Sequence, residues 1–311
     1  MGLRYSVVIP AHNAERFIGG AIESVLAQSM SVDELIVVDD GSTDETAQAA
    51  RRFGSRVTLI RQPNQGVSVA RNTGVGAATG EWIAFLDADD LWEPNKIEAV
   101  DAAVRGGTSV AVCVMNDRFY LRDDVRGEIE QANIAACGER FHVEILKQIP
   151  TVPSCFTVRA DVARRVAFPA GVRNGEDQQY LVLVRSHGAF LHVPQALTGY
   201  RVWSGQATAE VSQRAILSRV RDHLQFIADH IELYPPADQA ELHHSFGELL
   251  ALAHRNAYWR RDVEAVRECR ALYRQLLPDA TPPELFRRPI YPVWLSRVKD
   301  AVDGLRRSQA R

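Results

Sequence analysis

The sequence predicts an α/β fold, a mostly parallel sheet covered by helices on both faces and followed by a helical appendage. Three observations predict it. Short β-branched runs at residues 6–9, 35–38, 57–60 and 82–86 alternate with helical repeats through roughly the first hundred residues, as in a parallel sheet with crossover helices. Polar clusters close the first, second and fourth of these runs, where ligands bind in such sheets. From about Gln206 the strand patterns stop and only helical ones remain. The expected domains are therefore 1–205, with halves 1–110 and 111–205, and a helical region 206–311.

Residues 6–9 end at Pro10 and read as a fully buried strand. Asn13 is placed to cap a helix in which Phe17, Ile18, Ala21, Ile22, Val25 and Leu26 recur at helical spacing. The strand at 35–38 stops at Asp39-Asp40-Gly41, and Ser42 with Glu45 forms a capping box for the next helix. A strand at 57–60, a helix at 67–78 and a strand at 82–86 follow. Pro94 suits the first turn of a helix carrying Ile97, Val100 and Val104. Beyond residue 114 the alternation loosens. Residues 116–120 and 123–130 suggest an antiparallel hairpin, 139–149 a helix and 154–158 a strand. A helix at 178–185 and strands at 191–194 and 197–203 close this half. The tail reads as helices at 210–233, 237–258, 262–277 and 291–306, separated by prolines. There His243, His244 and His254 have no acidic partner at metal-ligand spacing and read as surface residues.

A chain of 311 residues, 46% hydrophobic and 24% charged, has ordinary globular composition. Its net charge of −3 argues against a nucleic-acid partner. Cys113, Cys137, Cys155 and Cys269 are too far apart for a metal or redox motif and read as reduced thiols. No apolar run reaches transmembrane length and no signal-peptide core is present, so a cytoplasmic protein is expected. The last helical run sets Trp294, Leu295, Val298, Val302 and Leu305 against Arg297, Lys299, Arg306 and Arg307. That face fits docking, pairing with a second copy, or peripheral contact with the inner face of a membrane.

The chemistry concentrates in Phe85-Leu86-Asp87-Ala88-Asp89-Asp90-Leu91-Trp92. An apolar strand stops there at three carboxylates. In an extended chain Asp87 and Asp89 leave on the same side, where unpartnered charges repel each other and resist burial. A hard divalent cation resolves this, and a solvated acidic turn is the alternative. Two further polar clusters at the same rim favour the cation. A dinucleotide fingerprint should follow the first strand, but that turn is Pro10-Ala11-His12-Asn13. The glycines from Gly74 to Gly80 read instead as a helix end and turn. Glu176 and Asp177 open a helix, where the dipole favours acids with or without any chemistry.

Four stretches together resemble the family 2 glycosyltransferases of the GT-A fold. They are Ser6-Val7-Val8-Ile9-Pro10-Ala11-His12-Asn13, Glu34-Leu35-Ile36-Val37-Val38-Asp39-Asp40-Gly41-Ser42-Thr43-Asp44, Ala70-Arg71-Asn72 and Asp87-Ala88-Asp89-Asp90, with Glu176-Asp177 and Tyr200-Arg201 at fitting distances. The resemblance covers about residues 3–205. It implies a doubly wound sheet whose 1–110 half binds a nucleotide-diphosphate sugar and whose 111–205 half receives the acceptor. It implies an inverting, metal-dependent transferase acting on a saccharide or lipid-linked saccharide, in cell-surface or extracellular polysaccharide synthesis. Pro10, His12 and Asp40 would hold the base with Asn13 beside them, and Arg71 would lie close to the nucleotide. Asp87 would sit near the ribose, Asp89 would bind Mg²⁺ or Mn²⁺, and Asp177, next to Glu176, would be the base. His12 stands where Tyr or Phe is usual. Trp203 stands where many members carry a histidine able to complete the metal shell, which leaves Asp89, the diphosphate and water as ligands. A sugar-nucleotide nucleotidyltransferase would want a Gly- and Arg-rich loop after the first strand, which is absent. A non-catalytic nucleotide-sugar-binding protein is the other alternative.

Overall fold

The computed structural model describes residues 2–107, 110–131, 138–147, 151–172, 174–203 and 213–288. The chain separates into two compact units, Met1–Ala209 and Glu210–Arg311, each described by itself.

The first unit opens with β1 (Tyr5–Ala11), α1 (Ile18–Leu26), β2 (Glu34–Asp40), α2 (Thr46–Arg51), β3 (Thr58–Gln62), α3 (Val67–Ala77) and β4 (Trp82–Phe85). The four strands are parallel in the order β3-β2-β1-β4, so their carboxyl ends share one rim. All seven residues of β1 are buried, as expected of a β-branched run covered on both faces. Gly74 lets α3 lie against β1, because a Cβ there would meet Val8 Cγ1 at 2.3 Å. Its place is thus in close helix–strand packing rather than in the expected helix-end turn.

The second half of this unit holds β5 (Leu91–Trp92), α4 (Lys96–Gly106), β6 (Ala111–Arg122), β7 (Val125–Glu130), α5 (Phe141–Lys147), β8 (Phe156–Arg159), α6 (Ala160–Ala163), α7 (Glu176–Arg185) and β9 (Ala189–Val202). They extend the sheet as β4-β8-β6-β9-β5, with β8 antiparallel to both β4 and β6, and β6 parallel to β9. The end of β9 therefore reaches the same rim as the ends of β1, β2 and β4. Residues 191–203, expected as two strands, form one long strand up to Val202 whose register against β6 shifts between Asn116 and Arg118. The expected hairpin is β6–β7, turning at Asp123 and Asp124 with φ of 49° and 61°.

Two expected caps are built differently. Neither Phe17 before α1 nor Glu45 before α2 makes a side-chain cap. Asn13, with φ of 48°, instead accepts from the Thr43 amide at 2.9 Å, while its own N–H donates to Ser42 Oγ at 3.0 Å. Asn13 and Ser42 thus sew the β1 and β2 loops together, and Asp44 takes over capping by accepting from the Thr46 amide at 3.0 Å.

The second unit packs α8 (Gln213–Asp229), α9 (Pro236–Arg260) and α10 (Val263–Leu276), followed by α11 (Glu284–Arg287). Asp262 caps α10, accepting from the Ala265 amide at 3.1 Å. The helix expected at 291–306 and Cys137 lie outside the described residues, while Cys113, Cys155 and Cys269 are buried free thiols. Among the described residues no helix is long and apolar enough to cross a membrane.

His254 is not a surface residue. It is fully buried, stacks on Phe286 with centroids 3.9 Å apart, and accepts from Arg270 Nε at 3.1 Å. Burial, with help from Arg270, pushes its pKa down from 6.5 to about 4. The unfolded chain therefore binds the extra proton first, and His254 costs stability as pH falls through that window. Thermal midpoints followed by circular dichroism should drop between about pH 6.5 and 4, and less so in His254→Phe. An identical slope in the two proteins would contradict this.

Candidate active site

Leu86 continues β4 by donating to Val8 O at 3.0 Å, and the chain then turns, with the Asp90 amide donating to Asp87 O at 3.0 Å. The acidic residues thus sit in a turn rather than on the extended strand end that the sequence suggested. Asp87 Oδ1 accepts from Arg71 at 2.8 Å, and Asp89 Oδ2 accepts from the indole N–H of Trp203 at 2.9 Å. Asp90 is buried, taking Ser154 Oγ at 2.6 Å and the Arg201 amide at 3.0 Å. Burial raises the pKa of Asp89 and Asp87 adds to this, while Trp203 pulls the other way. Asp90 is raised well above the usual range by burial, then by Asp89 and Asp87. The three carboxylates repel one another.

Arg71, on α3, joins this turn to the opposite wall. Its buried guanidinium donates to Asp87 and, at 3.0 Å, to Glu176 Oε1 at the start of α7. It also lies over the Phe168 ring at 5.2 Å. Burial opposes its charge, but Asp87 and Glu176 more than compensate and its pKa ends above the ordinary value. Gly175, with φ of 90°, opens α7, and Glu176 and Asp177 occupy its first turn. Asp177 accepts from the Thr151 hydroxyl, and burial, followed by Glu176, raises its carboxyl to about 7. The helix is anchored by Tyr180, stacked on Phe168 with centroids 3.7 Å apart and edge-on to Phe85 of β4. Asn72 fixes the same turn by exchanging hydrogen bonds with the Phe168 backbone at 2.9 and 2.8 Å.

At the other end of the rim, Asp40 is buried at the end of β2. Its carboxylate accepts from Gln62 Nε2 at 2.8 Å, the Gln65 amide at 2.9 Å and the Gly66 amide at 2.8 Å. A carboxylate accepts about four hydrogen bonds, so one acceptor position of Asp40 remains. His12 donates from Nδ1 to Asp40 O at 2.9 Å, and its Nε2 lies 3.1 Å from Asn64 Nδ2. Pro10 is buried in β1, with His12 and Asn13 exposed beyond it. The structure thus gathers Pro10, His12, Asn13 and Asp40 at one end of the rim, and Arg71, Asp87, Asp89, Glu176 and Asp177 along it.

Sequence reasoning missed the support behind the acidic turn. Ser154 Oγ accepts from the Asp87 amide at 2.9 Å while donating to Asp90. Its carbonyl receives Trp92 Nε1 at 2.9 Å, Thr198 Oγ1 at 2.9 Å and Lys96 Nζ at 3.0 Å. Lys96 is wholly buried, also donates to Asn116, and is pushed down to about 8 by burial. Its only signal in the sequence is a lysine beside Ile97 on the helix face that packs inward.

Asp87 Oδ2 and Asp89 Oδ1 accept no hydrogen bond from any other described residue, and both side chains are only partly buried. Two hard oxygen donors under mutual repulsion suit Mg²⁺ or Mn²⁺. Among the described residues no group of three or more His, Cys, Asp or Glu side chains is arranged to hold a metal. A cation here would need further oxygen ligands from an anionic substrate and water.

Residues 6–166 match the family described as Glycosyl transferase family 2. An uncharacterized glycosyltransferase of Nostoc sp. is 33% identical over 244 residues, covering 69% of this chain and 74% of that protein. Another, from Rickettsia felis, is 27% identical over 66% of this chain but only 34% of its own length, so this chain spans about a third of that relative. Among solved structures, S. aureus TarS 1-349 in complex with UDP-GlcNAc has a TM-score of 0.58 at 17% identity, over 88% of this chain and 90% of that one. The mannosyltransferase PcManGT from Pyrobaculum calidifontis, in complex with GDP-Man and Mn²⁺, has a TM-score of 0.57 at 18% identity, over 98% of this chain and 81% of that one. These likenesses establish the GT-A type of fold. The family match and the Nostoc relative together make the chain a member of glycosyl transferase family 2.

Proposed function

We propose that this glycosyltransferase moves a sugar, with inversion, from a nucleotide-diphosphate sugar to a hydroxyl of a saccharide or lipid-linked saccharide, in cell-surface or extracellular glycan synthesis. The observation that carries the reading is Arg71, whose one buried guanidinium spans Asp87 at the acidic turn and Glu176 beside Asp177. TarS was solved with UDP-GlcNAc and PcManGT with GDP-Man and Mn²⁺, which supports a donor of this class.

Pro10, His12, Asn13 and Asp40 bind the base end of the donor, with Asp40 using its remaining acceptor position. Asp87 lies towards the ribose, and Asp87 with Asp89 would hold a divalent cation. When bound, that cation neutralises charge growing on the leaving diphosphate. Arg71 keeps Asp87 oriented and sets Glu176 at the opposite wall. Asp177 takes the proton from the acceptor hydroxyl as its oxygen bonds to the anomeric carbon. The bond to the diphosphate breaks on the far side, which inverts that carbon.

Incubating the protein with UDP- and GDP-sugars, with and without Mn²⁺, and following nucleoside diphosphate release tests this reading. Slow metal-dependent release is expected with at least one donor. Donor binding that never leads to release would make the protein a nucleotide-sugar-binding module instead.

A further inference from the structure

The end of β9, with Trp203 just beyond it, grips the acidic turn at three points. The Arg201 amide donates to Asp90, Arg201 Nε donates to Asp89 O at 2.8 Å, and Trp203 Nε1 donates to Asp89 Oδ2 at 2.9 Å. The grip is set by the sheet, since β9 pairs with β5 through Leu91 and Gly199, directly after the turn. The Trp203 ring also packs on Phe17 with centroids 5.0 Å apart, and the Arg16 and Arg201 guanidinium groups lie 4.9 and 5.0 Å from the same ring. Trp203 thereby touches both the loop that carries His12 and Asn13 and the carboxylate at the far side of the donor site.

An indole nitrogen can donate a hydrogen bond but cannot ligate a cation. We propose that Trp203 is a positioning residue: its N–H holds Asp89 by Oδ2 and leaves Oδ1 as the oxygen offered to the divalent cation. It acts on the metal through Asp89, as an outer-shell donor orients a ligating carboxylate. Its contact with Phe17 ties that orientation to the base-binding loop. The inference rests on the reading of Asp87 and Asp89 as a cation site.

The test is Mn²⁺ binding to the whole protein, read from the electron paramagnetic resonance signal of the free ion, with no nucleotide and then with UDP or GDP. Trp203→Phe keeps a ring against Phe17 and removes only the donor. Its Mn²⁺ affinity should fall by about 10- to 100-fold, while its circular dichroism melt stays close to wild type. In the wild-type protein, Mn²⁺ should also quench indole fluorescence with the same saturation as the resonance titration, and Trp203→Phe should lose that component. Unchanged or tighter Mn²⁺ binding by Trp203→Phe overturns the proposal and leaves the cation site standing. Absence of the wild-type quench, despite Mn²⁺ binding, overturns it even if the variant does not fold. Failure of the wild-type protein to bind Mn²⁺, alone or with UDP or GDP, overturns the cation site and the proposal together.

Discussion

Asp177→Asn is expected to lower sugar transfer by roughly 10²- to 10⁴-fold, the usual worth of a positioned base, while leaving donor affinity close to wild type. The substitution preserves size and can still accept from Thr151, so little else changes at the start of α7. The capping explanation predicts the opposite. Asn and Asp cap about equally well, so it allows at most about 1 kcal/mol of lost stability and normal turnover. The structure adds a second, independent readout. Burial and the neighbouring Glu176 raise the Asp177 carboxyl to about 7, and only the ionised form can take a proton. The transfer rate of the wild-type protein should therefore rise as pH increases through about 7 and level off above it. Rates measured from pH 5.5 to 9 in wild type and Asp177→Asn check both statements. Near-normal transfer by the variant would remove Asp177 from the chemistry and direct attention to Glu176.

Asp89→Ala is expected to abolish the Mn²⁺-dependent part of donor binding, a loss of at least about 100-fold by the scale of metal-site changes. The fold should survive it. Asp89 is one of three mutually repelling carboxylates, and its removal relieves Asp87 and Asp90 of a like charge. What is lost is the acceptor for the Trp203 N–H, about 1 kcal/mol at a partly exposed position. Isothermal titration with UDP- and GDP-sugars, with and without Mn²⁺, separates the two components. Donor affinity that depends equally on Mn²⁺ in wild type and variant would remove Asp89 from the cation site.

The first four strands and their helices were legible because buried parallel strands are apolar throughout and announce themselves residue by residue. The second half of the first unit was harder. β9 contains Pro194 and Gln195 amid its apolar residues, which broke one strand into two on paper. Asp87, Asp89 and Asp40 were legible as clusters closing strands. Their partners were not, because Ser154 and Gln62 lie far away in sequence and carry no mark of their own, and Trp203 stood out as a departure from the family pattern rather than as the donor to Asp89. The capping roles given to Asn13 and Ser42 failed for a related reason. Both residues suit a helix start, but the fold brings the two loops close enough to bond each other instead. Lys96 and His254 show the limit of reading polarity as exposure, since each is buried once a neighbouring chain supplies hydrogen-bond or ring partners.

Asp40 has a consequence for how a ligand is received. Its three hydrogen bonds from residues 62–66 fasten the loop between β3 and α3 before any nucleotide arrives, so the conformational entropy of that segment is surrendered during folding and not again on binding. On the proposed reading, nucleotides that present the matching donor group would meet a finished mould. Those that do not must break a buried carboxylate's existing bonds to reshape it. On the same donor-binding reading, discrimination among bases at this end of the rim would come from the rigidity of the scaffold.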